Sequence, residues 1–129
     1  MAIDALPRVL VLMATYNGER YVEEQIESIL SQQGVNASLW ISDDCSTDST
    51  YEICKKYAVK HSNVRVSQNT SNKRVARNFM DMVYEADAGQ FDYFAFSDQD
   101  DVWFPQKLSH AIELIKGSGL GPRLYYSDV

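Results

Sequence analysis

The sequence has little of what fixes a chain by covalent bridges or by a membrane. Its 129 residues include two cysteines, three prolines and six glycines. Cys45 beside a polar loop and Cys54 in a helix-like segment form neither a disulfide framework nor a Cys-x-x-Cys metal pattern, so reduced thiols and a cytoplasmic setting are expected. No stretch approaches the roughly 20 consecutive apolar residues of a membrane span, and Met1 to Arg8 lacks the basic-then-apolar pattern of an export signal. Positive charge is scarce too, with 12 Lys and Arg against 18 Asp and Glu and a net charge of −6. That balance argues against a nucleic-acid partner, which calls for a clustered basic surface. A phosphorylated ligand would need a cation as mediator. His61 and His110 read as surface helix residues without a catalytic partner.

What is present is a rhythm of strands and helices. With 45% hydrophobic residues the chain can bury one core, so residues 1–129 are expected to form a single domain. Arg8 to Ala14 is a short continuous apolar run that exits into Thr15-Tyr16-Asn17-Gly18, the signature of a strand buried on both faces. Val22, Ile26, Ile29 and Leu30 then recur at helical spacing, with Gly34 as the stop. Ser38 to Ser42 predicts a second strand ending in Asp43-Asp44, and Ser49-Thr50-Tyr51-Glu52 resembles a capping box opening a helix with Ile53, Cys54, Tyr57 and Ala58 inward. A strand around Val64 to Val66, a helix burying Ala76, Phe79, Met80 and Val83, a strand Tyr93 to Phe96 and a helix after Pro105 with Leu108, Ile112 and Ile115 follow. Gly117 to Pro122 reads as a turn and Leu124-Tyr125-Tyr126 as the start of a fifth strand. Strands alternating with single helices predict an α/β, Rossmann-like, doubly wound and mainly parallel sheet with helices on both faces.

In such sheets ligands bind outside the carboxyl ends of the strands. That rule gathers Thr15-Tyr16-Asn17, Asp43-Asp44 and Asp98 to Asp101 at one edge. Ser97-Asp98-Gln99-Asp100-Asp101 puts three carboxylates within four positions, where mutual repulsion calls for a positive partner. Mg²⁺ or Mn²⁺ suits them, since hard ions take oxygen ligands and Mg²⁺ is held by one or two carboxylates plus substrate phosphates. Solvated loop acids or helix caps are the plainer reading, and Asp101 fits it; the strand context favours the metal for Asp98 and Asp100.

A carboxylate after the second strand can accept a hydrogen bond from the imide N–H of uracil or thymine, or from the ring N–H of guanine. Asp44 is the expected base contact, while Asp43 stays open between that role and a helix cap. Thr15-Tyr16-Asn17-Gly18 could line a nucleoside pocket, although turns favour Asn and Gly in any case. Lys73, Arg74 and Arg77 form the basic cluster at the start of the third helix, where a diphosphate would be welcome; Lys73 and Arg74 read equally well as a solvated face, and Arg77 is the better candidate. Trp103 with Phe104-Pro105 could shape a sugar pocket or simply pack.

Taken in order, Thr15-Tyr16-Asn17-Gly18, Ser28-Ile29-Leu30-Ser31-Gln32, Asp43-Asp44-Cys45-Ser46-Thr47-Asp48, Ala76-Arg77-Asn78 and Ser97-Asp98-Gln99-Asp100-Asp101 form the succession found in one family. From about Val9 to Val129 the chain resembles the family 2 glycosyltransferases of GT-A fold. The longer stretch Phe96 to Trp103 with Pro105 and Lys107-Leu108 is similar to bacterial members that build surface polysaccharides, rhamnosyltransferase-like enzymes among them. The resemblance implies a dTDP- or UDP-sugar donor, a saccharide or lipid-linked saccharide acceptor, and metal-dependent displacement with inversion.

It also implies that Asp44 contacts the base, that Asp98 lies near the ribose and a divalent ion, and that Asp100 ligates that ion; the full set expected at the nucleotide sugar is Ala14, Thr15, Tyr16, Asn17, Asp44, Arg77, Asp98 and Gln99. The family often has Gly where Cys45 stands. Family members continue into an acceptor-binding half that supplies the general base, so a base beyond Val129, a truncated chain, and a cytoplasmic protein with room for a place at the inner face of the membrane are the expectations. Three rivals remain: a non-catalytic nucleotide-sugar-binding domain, a phosphoacceptor signalling module and a nucleotidyltransferase. The second would want acids where Ala14-Thr15-Tyr16 stands, and the third a Gly-rich loop that Gly18 alone does not make.

Overall fold

The structure, a computed structural model, describes residues 5–116. The turn expected at Gly117 to Pro122 and the fifth strand expected at Leu124 to Tyr126 lie outside the described residues. Four strands and four helices alternate: β1 (Arg8–Thr15), α1 (Val22–Leu30), β2 (Asn36–Asp43), α2 (Thr50–Lys60), β3 (Val64–Gln68), α3 (Val75–Glu85), β4 (Tyr93–Ser97) and α4 (Lys107–Lys116), with one 3-10 turn at Ala88–Gln90. The sheet order is β3-β2-β1-β4 and all three pairings are parallel.

β1 is central because nearly every residue of it is apolar and can be buried on either side. Val9, Val11 and Met13 enter a core with Val22, Ile26 and Ile29 of α1, Cys54 and Tyr57 of α2, and Leu108 and Ile112 of α4. Leu10 and Leu12 point the other way, against Trp40 of β2 and Met82 of α3. Three helices therefore cover one face and α3 the other, as a doubly wound sheet requires. The chain runs β1, β2, β3 in one direction and then crosses to place β4 on the far side of β1, so the topological switch falls between β1 and β4. Among the described residues no helix is long and apolar enough to cross a membrane.

Local expectations fail in three places. Ser49 sits at the N-cap of α2 without a side-chain cap bond. The Thr50 amide instead donates to Asp48 Oδ1 at 2.9 Å, and the Ser49 amide to Glu19 Oε2 at 2.9 Å, so the capping box gives way to a neighbouring carboxylate and a long-range one. In α3 the buried positions are Asn78 and Met82, with Phe79 half-buried, while Ala76, Met80 and Val83 are exposed. The inward face is turned by one residue, about 100° around the helix, because a polar Asn occupies a position that a count of apolar residues passes over. Gly34 does take a left-handed φ of 77°, but beyond the C-cap at Ser31, in the turn that leads to β2.

Candidate functional site

A cavity of about 750 Å³ opens at the carboxyl edge of the sheet, beside the switch between β1 and β4. Ala14, Thr15 and Tyr16 line it from the end of β1, and Asp44 from the end of β2. Asn72, Arg74, Val75 and Asn78 contribute from the start of α3, and Asp98, Gln99 and Asp100 from the loop after β4. Of the residues expected at the site, Asn17 and Arg77 are not among those that line it.

The two acids that end β2 have separate surroundings. Asp43 is fully buried. It accepts from the Thr15 hydroxyl at 2.7 Å, the Ser46 hydroxyl at 2.6 Å, the Ser46 amide at 3.0 Å and the Gln68 carboxamide at 3.3 Å. It thus clamps β1, β3 and the loop after β2, which settles its open role in favour of structure. Asp44 Oδ1 accepts from the Asn69 carboxamide at 2.9 Å and the Lys73 amide at 2.7 Å, and Oδ2 from the Arg74 amide at 2.8 Å. A carboxylate offers about four acceptor positions, so Asp44 keeps capacity for a further donor from the cavity it lines. Burial pulls its pKa upward, but the hydrogen bonds from Lys73, Asn69 and Arg74 and the charge of Lys73 outweigh it and hold the carboxyl below its ordinary value.

Asp44 holds a turn that would not hold itself. Arg74 has φ 70° and ψ 166°, a region populated almost only by glycine and costing of order 1–3 kcal/mol for other residues. The carboxylate of Asp44, gripping two successive amides, over-determines that conformation and aims Arg74 at the cavity. Cys45 also lies at positive φ, 62°, which accounts physically for a preference for glycine at such a position, and its thiol donates to the Asn69 carbonyl at 3.0 Å.

The loop after β1 is knitted to the loop after β2. Asn17, at φ 47°, donates its amide to Ser46 Oγ at 2.9 Å and accepts from the Thr47 amide at 2.8 Å. The Gly18 amide donates to Thr50 Oγ1 at 2.8 Å. These residues shape the rim, while Tyr16 stands half-exposed on it.

The acidic loop is fastened from below by α1 and the turn that follows it. The Gln25 carboxamide donates to Ser97 Oγ at 2.7 Å, the Trp103 amide to Ser28 Oγ at 3.1 Å, and the Gln32 carboxamide to the Phe104 carbonyl at 2.7 Å. Trp103 is buried in the core beside α4, so it packs rather than reaching a ligand, whereas Phe104 is exposed. Asp101 lies 3.9 Å from Lys107 at the start of α4. Asp98 and Asp100 are exposed and, among the described residues, belong to no ion pair.

Three or more His, Cys, Asp or Glu placed to hold a metal do not occur among the described residues. Two exposed, uncompensated carboxylates on a cavity wall nevertheless fit a Mg²⁺- or Mn²⁺-type site in which phosphates and water complete the shell. Lys73 is engaged with Asp81 at 2.6 Å, which leaves Arg74 as the cation on the cavity wall.

Sequence reasoning missed Asn72 and Val75 here and set Arg74 behind Arg77. Asn78 carries a readable signal: a polar residue at an inward helical position, accepting from the Ser42 hydroxyl at 2.6 Å and donating to the Ser42 carbonyl at 2.9 Å.

Comparison with known proteins gives one consistent answer. The sequence profile of "Glycosyl transferase family 2" matches residues 10–126. The chain is 40% identical over 105 residues to the dTDP-rhamnosyl transferase RfbG of Shigella flexneri, covering 80% of this chain and 36% of that protein. It is 40% identical over 111 residues to the putative glycosyltransferase EpsE of Bacillus subtilis, covering 85% and 39%. Among solved structures, S. aureus TarS 1-349 in complex with UDP superposes with a TM-score of 0.72 at 29% identity, over 84% of this chain and 32% of that one. The chain thus spans well under half the length of the relatives it matches.

Proposed function

This chain belongs to glycosyl transferase family 2, and from that premise we propose that its cavity binds the nucleoside diphosphate of a dTDP- or UDP-linked sugar. The protein transfers that sugar, with inversion, to a hydroxyl of a saccharide or lipid-linked saccharide in bacterial surface polysaccharide synthesis. The carrying observation is that Asp44, Asp98, Asp100 and Arg74 line one cavity at the topological switch of the sheet. The RfbG relative, whose name specifies a dTDP-rhamnosyl donor, and TarS, crystallised with UDP, support a pyrimidine nucleotide.

In this reading Asp44 accepts the imide N–H of the base with its remaining acceptor capacity. Tyr16 and Ala14 supply wall, and Arg74 meets the diphosphate. Asp98 and Asp100 would hold a divalent ion together with phosphate oxygens, and the chemistry such an ion supplies is neutralisation of charge on the departing diphosphate. The new bond joins the acceptor oxygen to the sugar C1 on the face opposite the breaking C1–O bond, while the acceptor proton passes to a base. The cavity residues serve the donor side of that exchange.

The test is calorimetric titration of the chain with UDP and with dTDP, each with and without MnCl₂, repeated on Asp100→Ala. Binding that needs Mn²⁺ and disappears in the variant is expected. Failure of both nucleotides to bind with Mn²⁺, or equal affinity with and without it, overturns the reading.

A further inference from the structure

β4 stops pairing with β1 at Met13↔Ser97, although β1 continues to Thr15. On that side, the residue that follows β1 is met instead by a side chain. Gln99 Oε1 accepts from the Tyr16 amide at 2.8 Å, and Gln99 Nε2 donates to the Tyr16 carbonyl at 2.9 Å. Both polar atoms of the carboxamide thus bond one residue's backbone, a two-bond exchange of the kind an antiparallel residue pair makes, set where the parallel strand has ended. Asp98 and Asp100 flank Gln99; further along, Asp101 lies 3.9 Å from Lys107 and the Trp103 amide donates to Ser28.

Gly18 completes the arrangement. It is not in the left-handed region, so its backbone does not require glycine. A Cβ there would instead collide with Oε1 and Cδ of Gln99 and lie 2.9 Å from Nε2. Because the obstacle is the far end of a flexible side chain, a methyl group at position 18 would evict the carboxamide rather than break the fold.

We propose that Gln99 is a positioning residue: it latches the Asp98–Asp100 loop to the backbone of Tyr16, and residue 18 is glycine to leave room for that latch. The proposal rests on the donor-site reading above for its effect on affinity, but not for its geometry. Losing the latch frees the two acids to move relative to the β1 wall of the cavity. The loss of two ordinary hydrogen bonds corresponds to roughly tenfold in an equilibrium.

The experiment compares the 129-residue chain with Gln99→Ala, Gly18→Ala and the double variant. Two quantities are read: hydrogen exchange of the Tyr16 amide, and affinity for UDP and dTDP in MnCl₂. Each single variant should speed Tyr16 exchange and weaken metal-dependent nucleotide affinity by roughly tenfold. The double variant should be no worse than either, because both changes cause the same lesion. Unchanged Tyr16 exchange in Gln99→Ala, or losses that multiply in the double variant, overturns the latch. Faster exchange with unaltered affinity overturns its positioning role. If the unmodified chain binds neither nucleotide, the functional reading fails on its own, and the exchange data still decide the geometry.

Discussion

Asp43 and Asp44 are adjacent on the chain and opposite in use: the first accepts the Thr15 hydroxyl inside the protein, while the second holds the Lys73 and Arg74 amides at the cavity wall. Replacing Asp43 should therefore damage the fold rather than a ligand contact. Asp43→Ala strands the buried hydroxyl of Thr15 and the Ser46 amide, for a loss of about 3 kcal/mol. Urea denaturation checks this, and a variant within experimental error of the parent would refute the clamp.

Asp44 carries an acid-side dependence with a definite sign. Its native carboxyl pKa is held below the ordinary value, so its contribution to stability is complete above the unfolded value of about 3.9 and is lost as pH falls through the lowered native one. Asp44→Asn should flatten part of that decline, measured as urea midpoints between about pH 2.5 and 6. Asp48, lowered as well despite the opposing effect of burial, by hydrogen bonds from Thr50 and Glu19, leaves a residual slope. An unchanged profile in Asp44→Asn contradicts the assignment.

The two thiols should separate cleanly. Burial, and then the negative charge of Asp43, push Cys54 up to about 12, whereas Cys45 is partly exposed. Since the thiolate is the nucleophile, a disulfide reagent at neutral to mildly alkaline pH should titrate one thiol per native chain and two in denaturant. Rapid reaction of both in native buffer would show that Cys54 is not enclosed.

Gln32 ties the turn after α1 to the segment that opens α4. Its carboxamide donates to the Phe104 carbonyl and accepts from the Leu108 amide at 2.9 Å, an otherwise unpaired donor in the first turn of α4. Gln32→Ala should cost about 2 kcal/mol. It should also raise hydrogen exchange at Leu108 ahead of the rest of α4. Uniform exchange across that helix would argue against a cap supplied by Gln32.

Much of this was written into the sequence at short range. The apolar run Val9 to Met13, short and bounded by a polar turn, fits a strand buried on both faces, and the alternation of strands with helices leaves few ways to wind the sheet. The carboxyl-edge rule then places Asp44, Asp98 and Asp100 together without any side-chain detail. What stayed hidden depends on partners far along the chain. The orientation of Gln99 is set by Tyr16, the N-terminus of α2 by Glu19, and the place of Arg74 rather than Arg77 on the cavity wall by Asp44 holding a backbone conformation that no local propensity favours. The face of α3 was misjudged for a related reason: Asn78 is drawn inward by Ser42, which belongs to β2.

The pairing Thr15↔Asp43 and Asp43↔Gln68 fixes a parity as well as a distance. Successive strand residues alternate sides, so one residue inserted anywhere within β2 would turn Asp43 to the opposite face, away from Thr15, and shift Asp44 one place along the loop that follows. The length of this strand is therefore a determinant of chemistry in its own right. A homologue or design that keeps both aspartates but alters the count before them would retain the motif on paper and lose the site.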